Sequence, residues 1–200
     1  EGEEADIAIL RAVADGREKG LSKAEILANI KNIEGAYVPS LKKDGETVKK
    51  AVVRDFENAP FPRHPLVPNI ETVHDRAVLE LYRGCGSGCR FCQAGFWYRP
   101  IRERSAESLA DIGKDMIDSA GFSEMSLCSL STGDYSELQR LEELLVPFCN
   151  EKHINLALPS LRISSFKSDM VRQSRRSSLT FAPEAGTQRL RNVINKNVTD

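Results

Sequence analysis

What this chain lacks narrows its possibilities first. It has no apolar stretch near the roughly 20 residues a membrane-spanning helix needs, so no membrane partner is expected. Neither sign of charge dominates: 28 Lys and Arg stand against 29 Asp and Glu, for a net charge of −1. That balance excludes the global basic field that would point to nucleic acid. Cysteine is scarce and odd in number, at five, which argues against a disulfide framework. It favours a reducing, cytoplasmic compartment. Internal repeats and low-complexity segments are absent. No initiator methionine opens the chain, and the acidic start Glu1-Gly2-Glu3-Glu4 does not read as a signal peptide. The expectation is a piece cut from a longer protein.

What is present is the composition of a globular protein, 40% hydrophobic and 28% charged. Ile7, Leu10, Val13 and Ala14 form a helical stripe within residues 5–18. Ser22-Lys23-Ala24-Glu25 reads as a capping box opening a second helix with Ile26, Leu27, Ile30 and Ile33 on its face. Residues 37–53 predict a β-hairpin, turning at Asp44-Gly45. Pro60, Pro62, Pro65 and Pro68 then predict an extended connector over 58–75, since proline lacks the N–H that helices and central strands use.

From residue 76 strands and helices alternate. Predicted strands cover 77–82, 125–130, 154–158 and 179–182. Predicted helices follow Ser105, Asp134, Phe166 and Thr187. The helix after Ser105 presents Leu109, Ile112, Met116 and Ile117. The one after Asp134 presents Leu138, Leu141, Leu144, Leu145 and Phe148. This order predicts an α/β fold with a parallel sheet. At roughly 30 residues per βαβ step, about four units fit, too few for a closed eight-unit barrel. A sheet stopped there leaves an edge, so self-association is expected.

The densest chemistry is Arg83-Gly84-Cys85-Gly86-Ser87-Gly88-Cys89-Arg90-Phe91-Cys92, with three cysteines in eight residues. They can converge on one metal centre. A [4Fe–4S] cluster normally takes four thiolates, so three leave one iron open to a small molecule. In parallel α/β folds, ligands sit beyond the carboxyl ends of strands. Here those ends carry Cys85, then Ser131-Thr132-Gly133-Asp134, then Pro159-Ser160-Leu161-Arg162, then Pro183-Glu184-Ala185-Gly186.

Cys-x3-Cys-x2-Cys after a first strand, with an aromatic before the last cysteine, resembles the radical S-adenosylmethionine (SAM) enzymes. Residues 83–100, Ala182–Arg191 and Ile194-Asn195-Lys196 resemble the subgroup whose full-length members carry a cobalamin-binding-type domain ahead of the radical domain. So does the stretch from Gly35 through the Pro-rich connector. The likeness covers nearly the whole chain. It implies a [4Fe–4S] cluster on Cys85, Cys89 and Cys92, and SAM as the small molecule on the open iron. It also implies reductive cleavage to a 5′-deoxyadenosyl radical, with an electron donor such as a flavodoxin or ferredoxin. Phe91 would pack by the adenine, and Gly133 and Asp134 would receive the SAM amino group. Ser160 and Arg162 would take the methionyl carboxylate, and Glu184 the ribose hydroxyls. Asp134 departs from the family's Gly-Gly-Glu pattern. The Asp-x-His-x-x-Gly cobalamin motif is absent, so cobalamin belongs only to a full-length protein.

The fold this implies is an incomplete parallel (β/α) partial barrel of the radical SAM type, preceded by a small helical plus β-hairpin segment. Its parts are a linker subdomain at 1–57, the connector at 58–75 and the first part of the barrel at 76–200. Two alternatives remain open: an RNA or protein methylthio- or methyltransferase of the same superfamily, and a zinc-stabilised binding module completed by His64 or His74. Ser131–Asp134 and Pro183–Gly186 also suit plain turns. Arg99, Arg102 and Arg104 suit a solvated basic run, and Trp97 and Tyr98 suit packing. Cys128 and Cys149 read as structural thiols.

Overall fold

The computed structural model describes residues 1–70, 72–159, 161–163 and 181–200. The chain divides into two compact units, Glu1–Pro60 and Phe61–Asp200.

The first unit is built on two helices, α1 (Ala5–Glu18) and α2 (Lys23–Ile30). Ser22 caps α2 reciprocally: Glu25 N donates to Ser22 Oγ at 3.4 Å, and Ser22 N donates to Glu25 Oε2 at 2.8 Å. The helices meet at Gly16, where a Cβ would fall 2.6 Å from Ile26 Cγ1. A small core of Ile30, Ala36 and Val38 collects Ile9, Val13, Ile26 and Leu27 around it. The packed face of α1 is therefore turned from the expected stripe, and Ile7 and Leu10 are exposed, at 47% and 68%.

The hairpin expected over 37–53 does not form. Pro39–Leu41 is a 3-10 turn, and no strand occurs among residues 37–53. The turn at Asp44-Gly45 is present, with Gly45 at φ 75° and Glu46 N bonded to Lys43 O at 3.1 Å. Its flanks bond to side chains instead of pairing. Lys31 Nζ donates to Leu41 O at 3.0 Å, and Val53 N donates to Glu1 Oε2 at 2.6 Å. Pro39 contributes by removing a ladder donor from one flank.

The second unit is α/β. Strands β1 (Ala77–Glu80), β4 (Glu124–Cys128) and β5 (Asn155–Ala157) form a parallel sheet in the order β1-β4-β5. Ala77 stands opposite Met125, and Met125 opposite Leu156. Helix α4 (Ala106–Ala120) connects β1 to β4, and α5 (Leu138–Lys152) connects β4 to β5. Ser105 Oγ accepts from Ser108 N to start α4, and Gly121 at φ 73° ends it. The expected face, Leu109, Ile112, Met116 and Ile117, is buried. Gly113 brings α4 close to the sheet, since a Cβ there would lie 3.0 Å from Leu79 Cδ1 and from Met125 Cε. On α5, Leu138, Leu141 and Leu145 are buried, and Leu144 and Phe148 pack partly against the core. Among the described residues the sheet has three strands and does not close into a barrel.

The first expected strand divides in two. After Glu80 the chain leaves the parallel sheet, and β2 (Tyr82–Arg83) pairs antiparallel with β3 (Arg102–Glu103). A single turn, α3 (Ala94–Trp97), lies between them. This ribbon carries the cysteine loop. The expected helix at 166–173 and residues 179–180 of the fourth strand lie outside the described residues. Phe181 and Ala182 are not in a strand. A short helix, α6 (Gln188–Val193), follows with Thr187 as its cap. No helix among the described residues is long and apolar enough to cross a membrane.

Candidate functional site

The loop from Gly84 to Ile101 is held close to its own base. Gly84 sits at φ +104°, and a Cβ there would lie 2.7 Å from Tyr98 O and 2.9 Å from Pro100 O. Glycine is required on both counts, conformation and space. Gly88, at φ +64°, makes the second left-handed bend. Cys85 and Cys89 are buried and Cys92 is partly exposed, all three as free thiols.

The segment after α6 clasps this loop. Arg90 N donates to Ile194 O at 2.9 Å. Asn195 Nδ2 donates to Gly88 O at 2.9 Å and to Ser87 O at 3.3 Å. Asn195 itself is left-handed, at φ 54°, a conformation asparagine tolerates better than most residues.

Beyond β4, the chain forms a 3-10 turn, Thr132–Asp134. Ser131 and Thr132 are fully buried. Tyr82 Oη donates to Ser131 O at 2.7 Å, and Thr132 Oγ1 donates to Pro159 O at 2.6 Å. The ends of three strands are thereby tied together. Burial, helped by the negative charge of Asp134, pushes the Tyr82 phenol up to about 12. Asp134 is not the cap of α5, which begins at Leu138 without a side-chain cap.

Arg162 joins this turn to the cysteine loop. Its Nε lies 3.3 Å from Asp134 Oδ2, its Nη1 donates to Ser87 Oγ, and its Nη2 donates to Cys85 Sγ at 3.4 Å. Cys85, Asp134 and Arg162 thus form one constellation, with Gly133 in the adjoining turn. A second constellation lies around Lys196. Its Nζ is 3.3 Å from Glu184 Oε1 and 5.9 Å from the centre of the Phe91 ring. Ser160 lies outside the described residues.

Among the described residues, no group of three His, Cys, Asp or Glu side chains is placed to hold a metal ion. The chemistry of the donor set nonetheless fits a soft iron centre. Three free thiols share one loop bent by glycine, and a guanidinium stands beside the first. A zinc site would need a fourth ligand beside the three thiols. His74 Nδ1 faces Arg76 Nη2 at 3.3 Å.

The remaining cysteines stand apart. Cys149 is in the core, where burial raises its thiol to about 11. Cys128 is exposed at the end of β4. The basic run is not a solvated face: Arg102 and Arg104 are buried, Arg104 stacks over Phe61 at 5.4 Å, and only Arg99 is exposed. An open cleft of about 260 Å³ in the first unit, between Lys31, Lys42 and Lys49, directs two of these cations into ion pairs with Glu46 and Glu34.

Tyr82, Ser87, Asn195 and Lys196 carry much of this geometry without having been assigned roles from sequence. Ser87, Asn195 and Lys196 fall inside the stretches that carry the resemblance. Tyr82 gives no signal beyond its place in an apolar run.

No family model matches the chain. It is 28% identical over 169 residues to an uncharacterized protein of Methanocaldococcus jannaschii, an alignment covering 84% of this chain and 37% of that protein. The chain therefore spans little more than a third of that relative's length.

Proposed function

We propose that this chain is the cluster- and SAM-binding part of a radical SAM enzyme, of the subgroup associated with cobalamin-binding-type domains. On this reading the three-stranded sheet is the beginning of a partial barrel. The observation that carries the proposal is the link from Cys85 through Arg162 to Asp134. It gathers a thiol, a cation and a carboxylate at the carboxyl ends of the strands.

Cys85, Cys89 and Cys92 would hold the cluster. What a bound cluster supplies is the electron for reductive cleavage of SAM to methionine and a 5′-deoxyadenosyl radical. The chain's own residues bind and orient. Asp134 and Arg162 set a carboxylate beside a guanidinium, the complement of the ammonium and carboxylate of an α-amino acid. An amino-acid zwitterion entering between them exchanges one ion pair for two. Phe91 offers an exposed ring to the adenine, and the Glu184 carboxylate, shared with Lys196, is the acceptor for ribose hydroxyls. Burial of Cys85 and Cys89 keeps water from their sulfurs. An electron donor of the flavodoxin or ferredoxin type, cytoplasmic location, and cobalamin in a longer chain complete the proposal.

Metal analysis after anaerobic reconstitution tests it. About four irons per chain are expected, with loss of iron in Cys89→Ala. One zinc and no iron would replace this reading with a structural metal site.

A further inference from the structure

Each of the three nitrogens of the Arg162 guanidinium has a partner. Nε faces Asp134 at 3.3 Å, Nη1 donates to Ser87 Oγ, and Nη2 donates to Cys85 Sγ at 3.4 Å. The guanidinium is planar and permanently charged, so three bonds in three directions fix both its position and its plane. Asp134 holds it from the β4 end, and Ser87 from inside the cysteine loop. The remaining bond falls on sulfur.

That sulfur is shielded. Cys85 is 8% exposed, and the Arg162 side chain is 21% exposed. A cation this close to a sheltered sulfur acts through less solvent screening than at an open surface. Hydrogen bonds to ligating sulfurs are among the features that set the potential of iron–sulfur centres.

We propose that Arg162 is a positioning residue for Cys85. It fixes this thiol within the loop and withdraws negative charge from it, and so raises the reduction potential of the iron centre the loop holds. The inference rests on the reading of that loop as a cluster site. The sign follows from charge. Reduction adds one negative charge, and a donated hydrogen bond with a positive group stabilises the more negative state. Among the described residues no cation donates to the sulfur of Cys89 or Cys92, and Cys92 N bonds to Cys89 O along the backbone. The effect is therefore specific to the first cysteine.

The test is a redox titration of the anaerobically reconstituted full chain, followed by electron paramagnetic resonance, with iron content measured in every sample. Wild type, Arg162→Lys and Arg162→Gln are compared. The expected order of midpoint potentials is wild type highest, Lys next and Gln lowest. Lysine keeps the charge but cannot span three partners. Equal midpoints in all iron-loaded forms would overturn the inference while leaving the cluster assignment intact. Lower iron content with an unmoved midpoint also overturns it, because that is the signature of a merely structural role. If Arg162→Gln retains no iron, wild type against Arg162→Lys decides: a more negative midpoint in Lys supports the proposal, and equality refutes it. A wild-type chain that takes up no iron overturns the cluster reading itself, and this inference with it.

Discussion

Glu1–Pro60 and Phe61–Asp200 solve the same problem, covering apolar surface and satisfying backbone groups, by different means. The second unit uses a sheet between helices. Leu79, Leu109, Met125, Leu127, Leu141 and Leu145 are all fully buried there. The first unit has two helices and a long irregular segment whose backbone is held by side chains, Glu1, Lys31 and Glu46 among them. Its buried groups are small: Ile30, Ala36 and Val38, and separately Val53, Phe56 and Ala59. The lesson is where rigidity is available. Only the second unit offers a packed sheet end on which side chains of three strand termini can be fixed, and that is where the cysteine loop sits.

The sharpest way to break this contrast is in the core. Leu141→Ala should destabilise the second unit by roughly 2–5 kcal/mol, read from denaturant unfolding, since it removes a fully buried side chain beneath the sheet. A cost near zero would mean the sheet is not the rigid scaffold described. Next comes Gly84→Ala. A left-handed backbone and a Cβ 2.7 Å from Tyr98 O should cost on the order of 1–3 kcal/mol and release iron, with far-ultraviolet circular dichroism unchanged.

Tyr82 links stability to alkaline pH. Its phenol is pushed up to about 12, chiefly by burial, whereas an unfolded tyrosine titrates near ~10. The folded state holds that proton more tightly. This contribution is fully present below about pH 10 and is lost as pH rises toward about 12, on the order of 2 kcal/mol in all. Comparing the pH dependence of unfolding in wild type and Tyr82→Phe measures it, and identical slopes in that window would refute the assignment. A smaller effect is expected from Ser105→Ala, about 1 kcal/mol from the lost cap of α4. The smallest is Leu10→Ala in the first unit. At 68% exposed it should stay within about 0.5 kcal/mol, and a larger loss would show that the outer face of α1 is covered in solution.

The same contrast explains what could be read from sequence. Leu109, Ile112, Met116 and Ile117 recur with helical spacing, and the structure buries them together because one helix face meets one sheet. The Asp44-Gly45 signal correctly marks a turn, but a turn residue says nothing of whether its flanks find a partner strand. With Pro39 in one flank and side chains supplying the bonds, they do not pair. Residues 77–82 look like one strand because an apolar run cannot show where a pairing partner changes. Leu81 N still bonds Cys128 O before Tyr82 turns to Glu103.

At the candidate site, strand-end position marked the segments that contain Cys85, Asp134 and Arg162, and the family resemblance picked out these residues within them; the structure brings the three together. Tyr82 and Asn195 were not legible as site residues. Their roles depend on approaches across 49 and 107 positions of chain, to Ser131 and Gly88 respectively. Nor does spacing alone show the Lys196 bridge between Phe91 and Glu184.

The central claim is that this loop holds an iron–sulfur cluster with one iron open to SAM. It is tested most directly by electron paramagnetic resonance of the reconstituted, reduced chain with and without SAM. The account predicts a [4Fe–4S] signal of the reduced cluster whose shape and g values change when SAM is added. Absence of that signal in an iron-loaded sample, or a signal indifferent to saturating SAM, would contradict it.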